Sequence, residues 1–294
     1  MPQNKEKIRK QMPVKKMILQ KEIEHFLEED LRDDDISCTL AESKDIRASI
    51  IVKEDCIVSG VEIAAAILEY MKIEYLQKKN AGDKAAAGEI LFELSGNSIS
   101  ILRAERLVLN FLSHLSGIAT NTHNYVTIVK SEAGENAPKI AATRKTTPGI
   151  RKYEKKAVFD GGGDPHRQNL SDTVMIKDNH IEITGLEKAF KEAKRQTSFS
   201  KKIEVEADTA AQALKAAELG ADIILLDNMT PDEIRETIAA LEQKGLRKFV
   251  LLEASGGIRK ENLKTYAKTG VDVISLSAVT NDAEWIDIGL DVKS

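Results

Sequence analysis

The sequence predicts an α/β protein: a mixed N-terminal domain over residues 1–118, then an open, incomplete six-stranded α/β barrel over residues 119–278. Two observations predict it. From Lys139 onward short continuous apolar runs alternate with amphipathic helical patterns, and the units recur roughly every 20 to 35 residues, as βα units of a helix-covered parallel sheet do. A closed barrel takes eight strands and about 250 residues, but here six runs occupy about 140, so the predicted barrel is open.

In the first domain, Ile46–Val52 predicts a strand, Val61–Leu76 a helix with apolar residues at helical spacing, and Ile90–Leu94 a second strand before Gly96-Asn97. A long helical pattern runs from about Ile101 to Val129 through Leu107, Leu109, Phe111, Leu112 and Leu115. Ser116-Gly117 interrupts it and predicts a break or hinge between domains. The barrel strands are predicted at 139–143, 173–177, 202–206, 222–227, 249–254 and 271–277. Between them lie helices at Leu186–Arg195, Thr209–Leu219, Pro231–Leu241 and Lys260–Lys268.

Composition narrows the function. The 294 residues carry 43 Lys+Arg against 47 Asp+Glu, a formal net charge of -4, so no global positive field draws the protein to nucleic acid or an anionic membrane. Any cationic site must be local. The two cysteines, Cys38 and Cys56, form no CxxC or Cys/His cluster, which fits buried thiols in a reducing compartment better than a disulfide scaffold or a zinc site. The first 20 residues lack a continuous apolar segment, and no window approaches the ~20 apolar residues of a membrane span. A soluble, cytoplasmic protein is expected.

In parallel α/β architectures ligands gather at the carboxyl ends of the strands, so the residues that follow each run are the candidates. They are Arg144 and Lys145, Lys177, Glu206, Asp227, Ser255-Gly256-Gly257 and Ser277. Upstream of Lys177, Gly161 to Gly163 precede His166 and Arg167, glycines letting backbone approach a ligand and cations awaiting an anion. Each feature alone has an ordinary reading. Arg144-Lys145 could be a charged loop, Glu204 and Glu206 a solvated edge strand, Asp227 a helix cap and His166 a structural histidine, as His114, His123 and His180 are expected to be. Together they describe a ligand with several carboxylates or phosphates, which arginine grips bidentately, beside two carboxylates suited to Mg²⁺ and a glycine turn suited to phosphate. Those parts make a phosphorylated-sugar site.

At this point the chain resembles the quinolinate phosphoribosyltransferase family, also called carboxylating nicotinate-nucleotide pyrophosphorylases. The segments are FLEEDLRDDDIS near the start, AERLVLNFLSHLSGIAT at 104–120, ATRKTTPGIRKYEKKAV at 142–158, GGGDPHR at 161–167 and IKDNHI at 176–181. IEVEAD at 203–208, ILLDN at 224–228, EASGGI at 253–258 and DIGLDV at 287–292 follow in order. The resemblance implies an N-terminal α/β sandwich domain joined by the tail 279–294. It also implies transfer of phosphoribosyl from phosphoribosyl pyrophosphate to quinolinate with Mg²⁺, giving nicotinate mononucleotide, pyrophosphate and CO₂ in NAD biosynthesis. A homodimer, with higher assembly allowed, would bring Arg106 of one subunit into the other's site. Thr143, Arg144, Lys145, His166, Arg167 and Lys177 would surround quinolinate, and Lys145, Glu206 and Asp227 would be catalytic. Glu206 and Asp227 would also hold Mg²⁺, directly or through water, and Ser255, Gly256, Gly257, Ser277 and Ala278 the 5′-phosphate. Serine at 277 replaces an expected glycine, DPHR replaces the commoner NHR, and RDDDIS lacks a usual glycine. A paralogous transferase for another heteroaromatic acid, or a non-catalytic sensor of anionic metabolites, is the competing reading.

Overall fold

The computed structural model describes residues 20–32 and 35–293. The lysine-rich first 15 residues and Asp33-Asp34 of the RDDDIS segment lie outside them. The chain divides into two compact units, residues up to Ser116 with those from Trp285 onward, and Gly117–Glu284.

The first unit begins with α1 (Gln20–Leu31) and a 3-10 turn at Ile36–Leu40, followed by β1 (Asp45–Val52), β2 (Cys56–Ile57) and α2 (Val61–Tyr70). Next come β3 (Glu74–Gln77), β4 (Lys84–Ala85), β5 (Ile90–Asn97) and the first half of α3 (Ser98–Ala133). β1 is central to a four-stranded antiparallel sheet, paired on one side with β5, which pairs β3, and on the other with the C-terminal strand Ile288–Lys293. Alternate β1 residues Ala48, Ile50 and Val52 are buried, and Phe92, Ile63, Ile67 and Leu68 complete this core. Both cysteines are buried free thiols.

Two expectations are corrected here. The helix predicted over Val61–Leu76 ends at Tyr70, and Glu74–Gln77 is a strand. Lys72 turns the chain with φ 57°, a left-handed conformation taken without glycine or proline to announce it. The predicted break at Ser116-Gly117 is absent, since α3 runs unbroken for 36 residues. Ser116 is used laterally instead. Its hydroxyl accepts from the Ser59 N–H at 3.0 Å and donates to the Ser59 carbonyl at 3.2 Å.

The second unit holds the parallel sheet. Its elements are β6 (Lys139–Ala141), α4 (Arg151–Asp160), β7 (Val174–Ile176), α5 (Asp178–Thr184), α6 (Leu186–Gln196), β8 (Ile203–Ala207) and α7 (Ala210–Leu219). They continue with β9 (Ile223–Asp227), α8 (Pro231–Gln243), β10 (Leu251–Ser255), α9 (Leu263–Ala267), β11 (Val273–Ser275) and α10 (Ala278–Asn281), and β12 is the C-terminal Ile288–Lys293. Strand order is β6-β11-β10-β9-β8-β7, with every pair parallel. β6 and β7 are the two edges, so the barrel is open as expected. Helix starts carry their sequence signals. Thr230 and Glu233 form a capping box with Pro231 in the first turn, and Thr209 caps α7. Helices α4 and α5 were not predicted, and α9 is shorter than the predicted Lys260–Lys268.

The segment between α4 and β7 occupies the open side. Asp164 donates its N–H to the Ile140 carbonyl at 2.7 Å and accepts from the Ala142 N–H at 2.9 Å, adding a one-residue parallel bridge to the free edge of β6. Asp164-Pro165, unexplained by sequence, thus extends the sheet where a further strand would close it. The glycines serve packing. A Cβ on Gly161 would lie 2.3 Å from the Ala119 carbonyl oxygen, and one on Gly163 2.8 Å from Thr122, so both let the loop press against α3.

Candidate active site

A cavity of about 380 Å³ opens at the carboxyl ends of the parallel strands, within the size range of small-ligand sites. On one side its lining comes from the loops after β6 and α4, Thr143, Arg144, Lys145, His166 and Arg167, with Met175 of β7 and then Lys177. On the other side stand Glu206, Leu225, Asp227, Glu253, Ser255 and Ser275, which project from β8 to β11. These alternate with buried Val205, Leu226 and Ala254, as period-two side chains on one face of a sheet must.

Two of the cations, Arg144 and Arg167, are poorly matched by the protein itself. Arg144 Nε is buried without a hydrogen-bond partner among the described residues. Among the described residues the Arg167 guanidinium reaches only the Thr173 carbonyl at 3.5 Å and the Met175 sulfur at 3.0 Å, and burial holds its pKa below the usual arginine value. Lys145 is exposed, and its backbone N–H donates to Thr143 Oγ1 at 3.1 Å. Buried guanidinium donors without carboxylate partners are an incomplete ion pair, and an anionic ligand completes it.

The carboxylates are arranged differently. Glu206 is 8% exposed and accepts from Lys177 Nζ at 2.9 Å. Asp227 accepts from Asn228 Nδ2 at 2.7 Å, and its pKa is raised, first by burial and then by the nearby Glu206 charge. A carboxylate whose ionisation is made costlier by a second carboxylate beside it fits a hard divalent cation such as Mg²⁺.

Beneath them lies a cluster that sequence reasoning only half saw. Glu204 projects to the same side as Glu206, as the alternation predicted, but is fully buried with neither carboxylate oxygen hydrogen-bonded among the described residues. Burial, followed by the Glu253 charge, pushes its pKa up to about 7. Glu253, 3% exposed, pairs with His166 Nε2 at 3.1 Å. Ligand atoms of His166, Glu204 and Glu253 lie within 4.8 Å of one another, yet the histidine is turned against a metal. A metal on Nε2 needs the ring proton on Nδ1, and Nδ1 accepts the Arg167 N–H at 2.7 Å. The Nε2 proton therefore faces Glu253; burial, the largest single effect, lowers the imidazole pKa, but the hydrogen bond to Glu253 and the charges of Glu253 and Glu204 together raise it above the ordinary value.

Other predicted residues are not among those that line this cavity. Gly256 and Gly257 follow Ser255 with φ 88° and 64°, left-handed values that favour glycine. They stand ahead of α9, whose first residue is Leu263, so that helix terminus is not at the turn. Ser277 precedes α10, and the Ala278 carbonyl accepts from Asn121 Nδ2 at 2.8 Å. Arg106 is exposed on α3 in the N-terminal unit. Of the structural histidines, His180 accepts the Lys177 N–H at 3.0 Å and so fixes the start of α5. Glu253, Ser275 and Met175 were missed in the sequence. Period two from Ser255 could have found Glu253.

Known proteins share this sequence pattern and fold. Residues 35–116 match the model for the quinolinate phosphoribosyl transferase N-terminal domain, and residues 118–291 that for the C-terminal domain of the same family. Over 247 residues the chain is 45% identical to a Methanothermobacter thermautotrophicus protein named probable nicotinate-nucleotide pyrophosphorylase (carboxylating), covering 84% of this chain and 88% of that one. The rat nicotinate-nucleotide pyrophosphorylase (carboxylating) is 35% identical over 266 residues, covering 90% and 88%. The solved nicotinate-nucleotide pyrophosphorylase of Francisella tularensis superposes with a TM-score of 0.85 at 37% identity, over 92% of this chain and 94% of that one. No helix among the described residues is long and apolar enough to cross a membrane. The chain belongs to the quinolinate phosphoribosyl transferase family.

Proposed function

We propose that this protein transfers phosphoribosyl from phosphoribosyl pyrophosphate to the ring nitrogen of quinolinate, with loss of CO₂, and so makes nicotinate mononucleotide for NAD biosynthesis. The observation that carries this reading is the pairing of under-partnered cations, Arg144 and Arg167, with Glu206 and Asp227 across one cavity. A sensor of anions would need the first wall alone.

In this reading Arg144, Lys145, His166, Arg167 and Lys177 desolvate and orient the two carboxylates, aiming the ring nitrogen at the anomeric carbon of the sugar. Arg106 of a partner subunit completes that wall in a homodimer. Glu206 and Asp227 hold the ribosyl hydroxyls and Mg²⁺, which when bound supplies charge neutralisation to the departing pyrophosphate. Ser255, Gly256, Gly257, Ser277 and Ala278 offer backbone N–H groups and hydroxyls to the 5′-phosphate. Once the ring nitrogen is alkylated, the pyridinium stabilises the electron pair left on the ring carbon as CO₂ departs. The carboxylate's own bond supplies that pair, which then takes a proton from water to form the ring C–H of the product, so no general base is needed. The reaction would take place in the cytoplasm.

The test is direct. Purified protein incubated with quinolinate, phosphoribosyl pyrophosphate and Mg²⁺ should release nicotinate mononucleotide, pyrophosphate and CO₂ in equal amounts. No turnover, or equal turnover with nicotinic acid, overturns the reading.

A further inference from the structure

Lys155 takes no part in that chemistry, yet it is fully buried on α4, a site where a lysine is rarely found unless something holds it. Burial first, and then the charges of Arg151, Arg167 and Arg144, push its ammonium down to about 8 against the opposing charge of Asp164. A methionine would fill the same volume without a charge to desolvate, so packing alone does not account for a lysine here.

Its partners do. Nζ donates to the main-chain carbonyl of Pro165 and to that of Arg167, the latter at 2.7 Å. Those carbonyls flank His166, whose φ of 54° puts a non-glycine residue in the left-handed region. The N–H groups of the same turn are fixed as well. His166 N–H donates to Asp164 Oδ1 at 2.8 Å, and Arg167 N–H to His166 Nδ1 at 2.7 Å. With its carbonyls drawn onto the ammonium, the turn sends the His166 and Arg167 side chains to the cavity. The neighbouring residue serves the other cationic loop, since buried Glu154 accepts the Thr147 N–H at 3.0 Å.

We infer that Lys155 is a positioning residue for the dicarboxylate substrate. It fixes the Pro165–Arg167 turn so that His166 and Arg167 face the ligand, and its own charge, set behind that wall, adds to the hold on an anion. The substrate named here is that of the reaction proposed above.

The test compares wild type with Lys155→Met, which removes donors and charge, and Lys155→Gln, which keeps donors without the charge. Lys155→Met should raise the KM for quinolinate by about ten- to a hundredfold, the scale of a misplaced binding group. The KM for phosphoribosyl pyrophosphate should stay within about threefold, and the melting temperature should hold or rise, because losing a buried charge often stabilises. Lys155→Gln should recover part of the quinolinate effect. In wild type the quinolinate KM should climb above pH 8 as the ammonium loses its proton among Arg151, Arg144, Arg167 and Asp164, and in Lys155→Met that climb should vanish. If both KM values rise together with a lowered melting temperature, or if Lys155→Met is kinetically silent, the inference is overturned. A wild-type protein without turnover would instead overturn the proposed reaction. Calorimetric titration of quinolinate into wild type and Lys155→Met then still decides on Lys155, equal affinities refuting it.

Discussion

Arg144, Lys145, His166 and Arg167 sit on loops, the first pair following the three-residue strand β6, whereas Glu206, Asp227 and Ser255 are the last or next-to-last residues of five-residue strands. The acidic wall is therefore placed by sheet register. Glu206 stands level with Leu225, and Asp227 with Ser255, because the parallel ladder leaves them nowhere else. Arg144, Lys145, His166 and Arg167 lie beyond the ends of the ladder, and tethers take its place: buried Lys155 and Glu154 from α4, Asp164 on the edge of β6, and Gly161 against α3. A rigid wall suits groups that must meet developing charge within a fraction of an ångström, and a tethered one suits groups that grip a ligand.

That difference predicts a split in kinetics, the largest effect expected. Glu206→Gln and Asp227→Asn should each lower kcat by about a thousandfold, the scale of lost transition-state stabilisation, while leaving quinolinate affinity within about threefold. Arg167→Ala should do the reverse, weakening quinolinate binding by about a hundredfold with a smaller change in kcat. Steady-state kinetics with calorimetric titration of quinolinate reads both. If the acidic-wall variants lose quinolinate as badly as Arg167→Ala does, the walls do not divide the work.

The same difference explains what the sequence reveals. Residues that end a strand are legible, because a continuous apolar run announces the strand and the next polar residue announces its end. Arg144, Lys177, Glu206, Asp227 and Ser255 were found that way, and the open barrel followed from counting the runs. The tethers are illegible. Lys155 lies in RKYEKKAV, whose charge density reads as a solvated face, and only the packed helix shows that one of its lysines points inward. Gly161 to Gly163 suggested backbone approach to a ligand, but Gly161 and Gly163 answer to Ala119 and Thr122, contacts between residues some 40 positions apart that no local pattern encodes. Ser116 misled for a similar reason, since its partner, the Ser59 peptide, is 57 residues away.

A tethered wall can also borrow from outside its own chain, and the proposed entry of Arg106 from a partner makes that testable. Arg106→Ala and Lys177→Ala homodimers should each be inactive. After subunit exchange half the dimers are hybrids, and each hybrid carries one intact site, so about a quarter of wild-type activity should return in a two-fold symmetric dimer. No recovery, with exchange demonstrated by differently tagged subunits, would leave the cationic wall to one chain.

The walls meet at Glu204, which the register of β8 points into the barrel beneath Arg167 and beside Glu253. An unfolded glutamate titrates near 4.3, and here burial and the Glu253 charge raise the value to about 7. The folded state thus binds this proton more tightly than the unfolded chain. Its contribution to stability is complete below about pH 4 and is lost as pH rises from there to 7, by roughly 3 to 4 kcal/mol, the Arg167 and His166 charges already holding the value below where burial and Glu253 alone would set it. Glu204→Gln mimics the protonated form and should abolish that decline. Urea denaturation at pH 5 and pH 8 should find the two proteins within about 1 kcal/mol at the lower pH and the variant more stable at the higher by roughly 3 to 4 kcal/mol. Parallel losses in wild type and variant would show that Glu204 ionises freely, neutralised by the cations above it. The cationic wall would then be tied down by charge from the acidic side as well as by α4.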